Sequence, residues 1–372
     1  MKSLWNYIPI QVLHLARYLP TAECRRLHQA LNLLERIGRQ FIQKKLSNSQ
    51  TEAEGHQDIM NILMAAYDPK RSDLHRRLSR NELFAQINSV ILAGHETTSS
   101  TLNFMFWELA KRPDYQSRTR HEIMSLCNRV PNRSDSEYTL DDVESMLFTV
   151  ATVKETSRLY PVAYHISREA ARDDTIPLSE PVTTAAGGLI YNVPVSKGQT
   201  IIISLCGYNR LPSLWGDDAD VWNPERFFNS ARTIDSKTGL YANLMSFSGG
   251  IRACIGWRMA ILQIMTVIIE TLKHFEFSLP DTGLDIVAAP NGPLMSPYIR
   301  DKMHLGPQMP LVVRELWSSA LYTYHAVSHH EFELQHLEGL FEVQRTTYVE
   351  LPIALVWCSH RTQSNSEIID TS

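Results

Sequence analysis

The chain has 372 residues, 44% of them apolar and 20% charged, with Lys+Arg 36 against Asp+Glu 40 and a formal net charge of -4. That composition supports one large globular domain or two ordinary ones, and it lacks the basic excess that would make nucleic acid the main partner. Cys24, Cys127, Cys206, Cys254 and Cys358 form no C-x-x-C pair, which argues against a disulfide framework or a cysteine zinc site and for a reducing compartment.

In the first twenty residues, Asn6, Gln11, His14 and Arg17 interrupt the apolar stretch, so it falls short of a signal-peptide core or a membrane span. Elsewhere no run reaches about 18 uninterrupted apolar residues, and the chain as given reads as soluble or peripheral. Leu27, Leu31, Leu34, Ile37 and Phe41 recur at three and four, predicting an amphipathic helix over 24–45, with a polar loop over 47–57 after it. Ser79 and Glu82 have the form of a capping box, and the apolar pattern that follows meets no proline until Pro113, so this is the longest predicted helix. A helix over 113–128 and another running from the Thr139 cap to Pro161 complete a first half that is almost all helical.

Residues 189–205 hold two runs rich in Ile, Val and Tyr around Ser196-Lys197-Gly198, a hairpin signal, so β structure is the minor component. Residues 207–246 are aperiodic and rich in Asn, Pro, Asp, Trp and Arg, and long irregular segments of this kind tend to be functional. A strongly apolar helix is predicted over 257–274, then short strands and turns over 281–313. Past Trp317 the core pattern ends. His325, His329, His330, His336 and His360 lie there without carboxylates at ligand spacing, so 318–372 is expected to be a poorly ordered tail and not a metal site.

Chemistry concentrates in Phe247-Ser248-Gly249-Gly250-Ile251-Arg252-Ala253-Cys254-Ile255-Gly256. A lone cysteine is ordinarily a small hydrophobe, but here glycines permit close approach of a flat ligand, Arg252 offers a cation to a carboxylate, and Phe247 can stack beneath a ring. A chance F-x-x-G-x-R-x-C-x-G match in one chain of this length is on the order of one in ten thousand. With a helix expected from Ile255 onward, its free N–H groups and positive dipole end would favour the thiolate form of Cys254. A thiolate of this kind, as proximal ligand to haem iron, donates electron density that favours O–O cleavage.

Upstream, Ala93-Gly94-His95-Glu96-Thr97-Thr98 places small residues beside an acid and two hydroxyls, in a helix that a back-bonding Thr would open locally. By itself this is equally a helix-packing notch. Glu155 and Arg158 at i and i+3 read in isolation as a minor surface pair. Their apolar neighbours Val150, Ala151, Val153 and Leu159 point instead to a buried pair, which Arg226 in Pro224-Glu225-Arg226-Phe227 would complete.

These four patterns, in this order, resemble the cytochrome P-450 family of haem-thiolate monooxygenases, most closely its fungal microsomal members, over residues 4–316. The resemblance implies a mainly α fold with a minor β subdomain, and a haem-thiolate monooxygenase domain over 1–317. It implies that Cys254 is the axial iron ligand, that Arg252 and Arg168 bind haem propionates, and that Phe247, Gly250 and Gly256 shape the cofactor loop. It further implies Glu96 and Thr97 as the proton-delivering pair, Glu155, Arg158 and Arg226 as a structural triad, and Val90, Ala93, Gly94 and residues 162–165 as substrate lining.

The implied reaction inserts one atom of O2 into a small apolar substrate in secondary metabolism, with electrons from NADPH through a flavoprotein reductase. That reductase would meet a basic face of Arg252 and Arg258 with Arg226 or Arg232. Family members carry further chain ahead of the region matched by Lys2, including a membrane anchor and propionate-gripping residues. The expectation is therefore an N-terminally truncated relative, with endoplasmic-reticulum association belonging to a full-length parent. A non-catalytic relative that does not retain haem, and a reductase-independent enzyme that rearranges peroxides, are the alternatives.

Overall fold

The protein is described by a computed structural model over residues 21–48, 59–67, 77–129, 138–228, 238–281, 283–316 and 348–349. It divides into two compact units, residues 1–94 and 95–372.

The first unit holds α1 (Ala22–Asn48), α2 (Ile59–Tyr67) and the start of α3 (Arg80–Ala110). Buried Ile42, Leu83 and Ile87, flanked by Met60, Leu63, Met64, Tyr67, Phe84 and Ile91, form its core. Gly38 lets α1 approach closely, since a Cβ there would meet the Phe84 ring at 2.6 Å. The Ser79–Glu82 box closes as expected, with Glu82 N–H donating to Ser79 Oγ at 3.2 Å and Ser79 N–H to Glu82 Oε2 at 2.8 Å. α2 was not foreseen, because nine largely apolar residues are too short to reveal a helical period. From residue 49 on, the predicted polar loop lies outside the described residues.

α3 continues into the second unit and, at 31 residues, is the longest helix among the described residues. There follow α4 (Pro113–Arg129), α5 (Leu140–Glu144) and α6 (Leu147–Leu159). The single helix predicted from Thr139 to Pro161 is thus two. Thr139 and Asp142 form a capping box on α5, and the chain breaks at Met146, whose backbone is extended (φ -76, ψ 102). The break is stable because Glu122 of α4 caps the new helix, accepting from Phe148 N–H at 3.0 Å and Thr149 N–H at 2.9 Å. A cap supplied from more than twenty residues away leaves no mark in the local pattern.

The predicted hairpin over 189–205 is also corrected. β1 (His165–Glu169) pairs with β4 (Thr200–Ser204), while β2 (Asp174–Thr183) pairs with β3 (Leu189–Val195), so the two runs belong to two consecutive two-stranded antiparallel sheets and do not pair with each other. The Ser196-Lys197-Gly198 turn forms (Gly198 φ +81), but its Gly198 N–H donates to Ala170 O, just after β1, at 2.8 Å. Residues 205–228 and 238–247 carry only single turns: α7 (Leu205–Tyr208), α8 (Pro212–Trp215), and 3-10 turns at Pro224–Phe227 and Met245–Phe247.

After the cysteine loop, α9 (Trp257–His274) leads into β5 (Phe275–Ser278), the β6–β7 hairpin (Ile286–Asn291, Leu294–Ile299) and β8 (Leu311–Glu315). β5, β8 and the two-residue β9 (Tyr348–Val349) form a three-stranded sheet. The rest of the predicted tail lies outside the described residues. One core unites Leu102, Phe104, Met105, Phe106 and Leu109 of α3 with Val153 of α6 and Ile264, Met265, Ile268 and Leu272 of α9. Phe104 stacks on Tyr160 at 4.5 Å, and buried Gln116 ties α4 to both backbone groups of Phe277. The helix carrying Thr97 and the helix leading out of the cysteine loop are therefore packed into the same core. The fold is mainly α with a minor β portion.

Candidate functional site

The base of the site is a buried ionic network. Glu155 and Arg158 sit one turn apart on α6 and are both fully buried; Arg158 Nε donates to Glu155 Oε2 at 2.8 Å and Nη2 to Oε1 at 2.9 Å. Arg226 Nε reaches the same Oε1 at 3.1 Å, and Asn223 N–H donates to it at 2.7 Å. The remaining guanidinium protons go to backbone carbonyls of the irregular segment: Arg158 to Asn209 and Ala219 at 2.7 and 2.6 Å, and Arg226 to Trp215 and Asp218. Asp218 also receives Arg226 Nη2 at 2.9 Å, and this hydrogen bond holds its carboxyl below the usual aspartate range. A segment without a regular backbone ladder is thus held by two arginines with nearly every donor used, which is how a buried charge cluster becomes tolerable.

The cysteine loop rises from this base. Met245 N–H donates to Asn209 Oδ1 at 2.9 Å, and Ser246 Oγ donates to Ser157 O of α6 at 2.5 Å. The chain then turns through Ser248 (φ 60) and Gly250 (φ +69), and Cys254 N–H closes the loop onto Phe247 O at 2.9 Å. Gly249 is required for space, because a Cβ there would lie 2.4 Å from Thr238 O. Phe247 is half-buried with its ring edge-on to Tyr241 at 6.0 Å, and Tyr241 also touches Trp257. α9 spans Trp257–His274, the bounds expected for the apolar helix, with Gly256 as N-cap, so the helical N–H groups start two residues after Ile255, the start expected for those facing the sulfur. Cys254 precedes the first turn and is not in it, because Ala253 is extended (φ -65, ψ 159) and the loop closure uses the Cys254 amide.

The other site residues take the following places. Cys254 and Arg252 are exposed, and neither side chain has a hydrogen bond or ion pair among the described residues. Gly250 and Gly256 have no atom within 4 Å of an added Cβ. Glu96 is exposed and Thr97 half-buried on α3, and Thr101 Oγ1 bonds back to Thr97 O at 3.0 Å, so the back-bonding threonine is one turn further on than the motif itself. Thr98 Oγ1 is buried without a partner among the described residues. Arg168 is exposed within β1, its Nη1 on Ser167 O at 2.8 Å. Val162 is buried, Tyr164 and His165 are half-buried with rings 4.3 Å apart, and Val90, Ala93 and Gly94 belong to the first unit. Arg226 is buried in the network and is not available to a basic surface; Arg232 lies outside the described residues.

A family model for cytochrome P450 matches residues 2–298. The chain belongs to the cytochrome P450 family. Among its relatives, cytochrome P450 monooxygenase 128 of Postia placenta is 32% identical over 324 residues, which cover 84% of this chain and 58% of that protein. Ganoderic acid synthetase CYP5150L8 of Ganoderma lucidum is 34% identical, over 84% of this chain and 58% of that protein. Cytochrome P450 monooxygenase claW of Ampulloclitocybe clavipes is 30% identical, over 78% and 52%. The chain therefore spans little more than half the length of these curated relatives.

The group that P450 membership implies is haem held by a cysteine thiolate. The residues fit it. An outward-facing sulfur, an exposed guanidinium without an ion pair among the described residues, open space at two glycines and the fully exposed apolar side chain of Ile255 lie within seven residues of one another. These would offer a bound haem a soft sulfur donor, a cation for a carboxylate and an apolar surface for a flat macrocycle.

Asn209, Ser246, Asp218 and Glu122 were missed by sequence reasoning. All four are single polar residues in aperiodic or surface-patterned stretches, and only the fold shows what they hold.

Proposed function

We propose that this chain carries the haem-thiolate centre of a P450 monooxygenase, with Cys254 as axial ligand and Arg252 as the propionate partner. Phe247, Gly250 and Gly256 shape the seat, and Arg168 is a second propionate partner. The observation that carries this reading is the outward-facing Cys254 sulfur on a loop closed by its own backbone amide and anchored in a buried ionic network. When bound, haem supplies the O2-activating chemistry. The protein's own residues fix the sulfur, neutralise the carboxylates, and, through Glu96 and Thr97 on α3, move protons to the reacting oxygen.

The substrate class this reading favours is a small apolar organic molecule of secondary metabolism, in keeping with the ganoderic acid synthetase similarity. Residues 162–165 are the proposed lining within the second unit. Electrons would come from NADPH through a flavoprotein reductase at a basic face of Arg252 and Arg258. Association with the endoplasmic reticulum is proposed from P450 membership alone; no helix among the described residues is long and apolar enough to cross a membrane. The domain is proposed to end near residue 317.

Reconstitution with haem, reduction and exposure to carbon monoxide tests the centre. A red-shifted Soret band in the wild type, lost in Cys254→Ser, is the expected result; its absence from a cooperatively folded wild type overturns the reading. The second reading, a folded relative that does not retain haem, draws on the half-length match to the curated relatives and predicts that negative result.

A further inference from the structure

The network and the loop meet at one side chain. Asn209 is fully buried and engaged at every polar atom: its N–H donates to Leu205 O at 3.1 Å, its C=O accepts from Arg158 Nη1 at 2.7 Å, its Oδ1 accepts from Met245 N–H at 2.9 Å, and its Nδ2 donates to Ser246 Oγ at 2.9 Å. The amide orientation is dictated by chemistry. Met245 N–H can only donate, so it requires the amide oxygen, and the Ser246 hydroxyl proton is committed to Ser157 O, so its oxygen requires a donor.

Two residues beyond Met245, the carbonyl of Phe247 clamps the Cys254 amide. From Glu155 to Cys254, hydrogen bonds and short stretches of backbone therefore form a continuous path: Glu155 orients Arg158, Arg158 holds the Asn209 carbonyl, and the Asn209 amide holds the first turn of the loop.

We propose that Asn209 is the positioning residue of the cysteine loop, transmitting the geometry of the buried Glu155–Arg158–Arg226 cluster to the backbone that presents the Cys254 sulfur. The proposal rests on the thiolate reading for its consequence alone, since the coupling itself is a property of the protein without cofactor. Asn is the residue type that satisfies this position. Aspartate would set a carboxylate oxygen against the Ser246 oxygen, and leucine would leave the part-buried Met245 N–H without its acceptor.

Amide hydrogen exchange on the haem-free 372-residue chain tests it. In Asn209→Leu, the Met245 and Cys254 amides are expected to exchange about ten-fold faster, while those of Val153 and Ile268 in the core helices keep their wild-type rates. Ser246→Ala, which leaves the Asn209 packing in place, is expected to give a smaller acceleration at the same two amides. The proposal is overturned if the Cys254 amide is unchanged in both variants, or if the core amides accelerate equally, since that marks a general loss of stability. A failure of haem reconstitution leaves this result untouched, so the two readings fail separately.

Discussion

Arg226 lies 71 positions after Glu155, yet its Nε sits 3.1 Å from Glu155 Oε1 with both side chains buried. Arg158 binds the same carboxylate from the helix, so one anion offsets two arginines, with Asp218 as the outer counter-charge. Glu155→Gln keeps the shape and removes the charge, leaving a buried cation short of its partner. The expected cost is about 3–5 kcal/mol, read from the urea midpoint. A loss of less than about 1 kcal/mol would show that the carbonyls of residues 209–221 are sufficient to hold the guanidinium groups.

Asp218 gives this cluster a pH dependence. The hydrogen bond from Arg226 lowers its folded-state pKa below the ordinary aspartate value of about 3.9. Its contribution is then fully present above that ordinary value and is lost as pH falls through the lower, folded-state one. The difference in urea midpoint between wild type and Asp218→Asn is expected to be constant near neutrality and to shrink on acidification below about pH 4. A difference that grows on acidification would contradict the assignment.

The loop makes a steric prediction. Gly249→Ala places a methyl group against the Thr238 carbonyl, and with backbone on both sides of that contact the expected cost is about 1–3 kcal/mol. Gly250→Ala meets no atom but must hold φ +69, which costs about 1 kcal/mol from the backbone alone. Denaturation of the two variants separates crowding from conformation; equal and negligible losses would mean that the loop relaxes freely.

How much of this was legible in sequence follows from where the constraints originate. Helices with a full apolar face or a local cap, such as α3 with its Ser79–Glu82 box and α9 over Trp257–His274, carry their own evidence. So does a motif as dense as Phe247 to Gly256. The break before α6 and the pairing of β3 with β2 are set by distant partners, Glu122 and Asp174–Thr183, which local periodicity does not contain. Arg226 was foreseen as a network member and also as a surface charge, and burial decides for the network. Asn209 is invisible for the same reason: its value lies in the four groups the fold brings to it.

On α3, neighbouring threonines separate structure from proposed chemistry. Thr98 Oγ1 is buried with no partner among the described residues, whereas Thr97 is half-buried beside exposed Glu96. Thr98→Val trades an unsatisfied hydroxyl for a methyl of the same shape, and the expected result is a gain of up to about 1 kcal/mol in urea denaturation. A loss of stability would mean that the hydroxyl is satisfied by ordered water. Thr97→Ala removes a proposed proton donor and leaves the core unchanged. In protein reconstituted with haem and reductase, product formed per NADPH consumed is expected to fall, by up to about a hundred-fold, while reductant consumption continues. Thr97→Ser, which keeps the hydroxyl, is expected to restore coupling. Unchanged coupling in Thr97→Ala would remove Thr97 from the chemistry and favour a peroxide-rearranging enzyme, which needs no delivered protons.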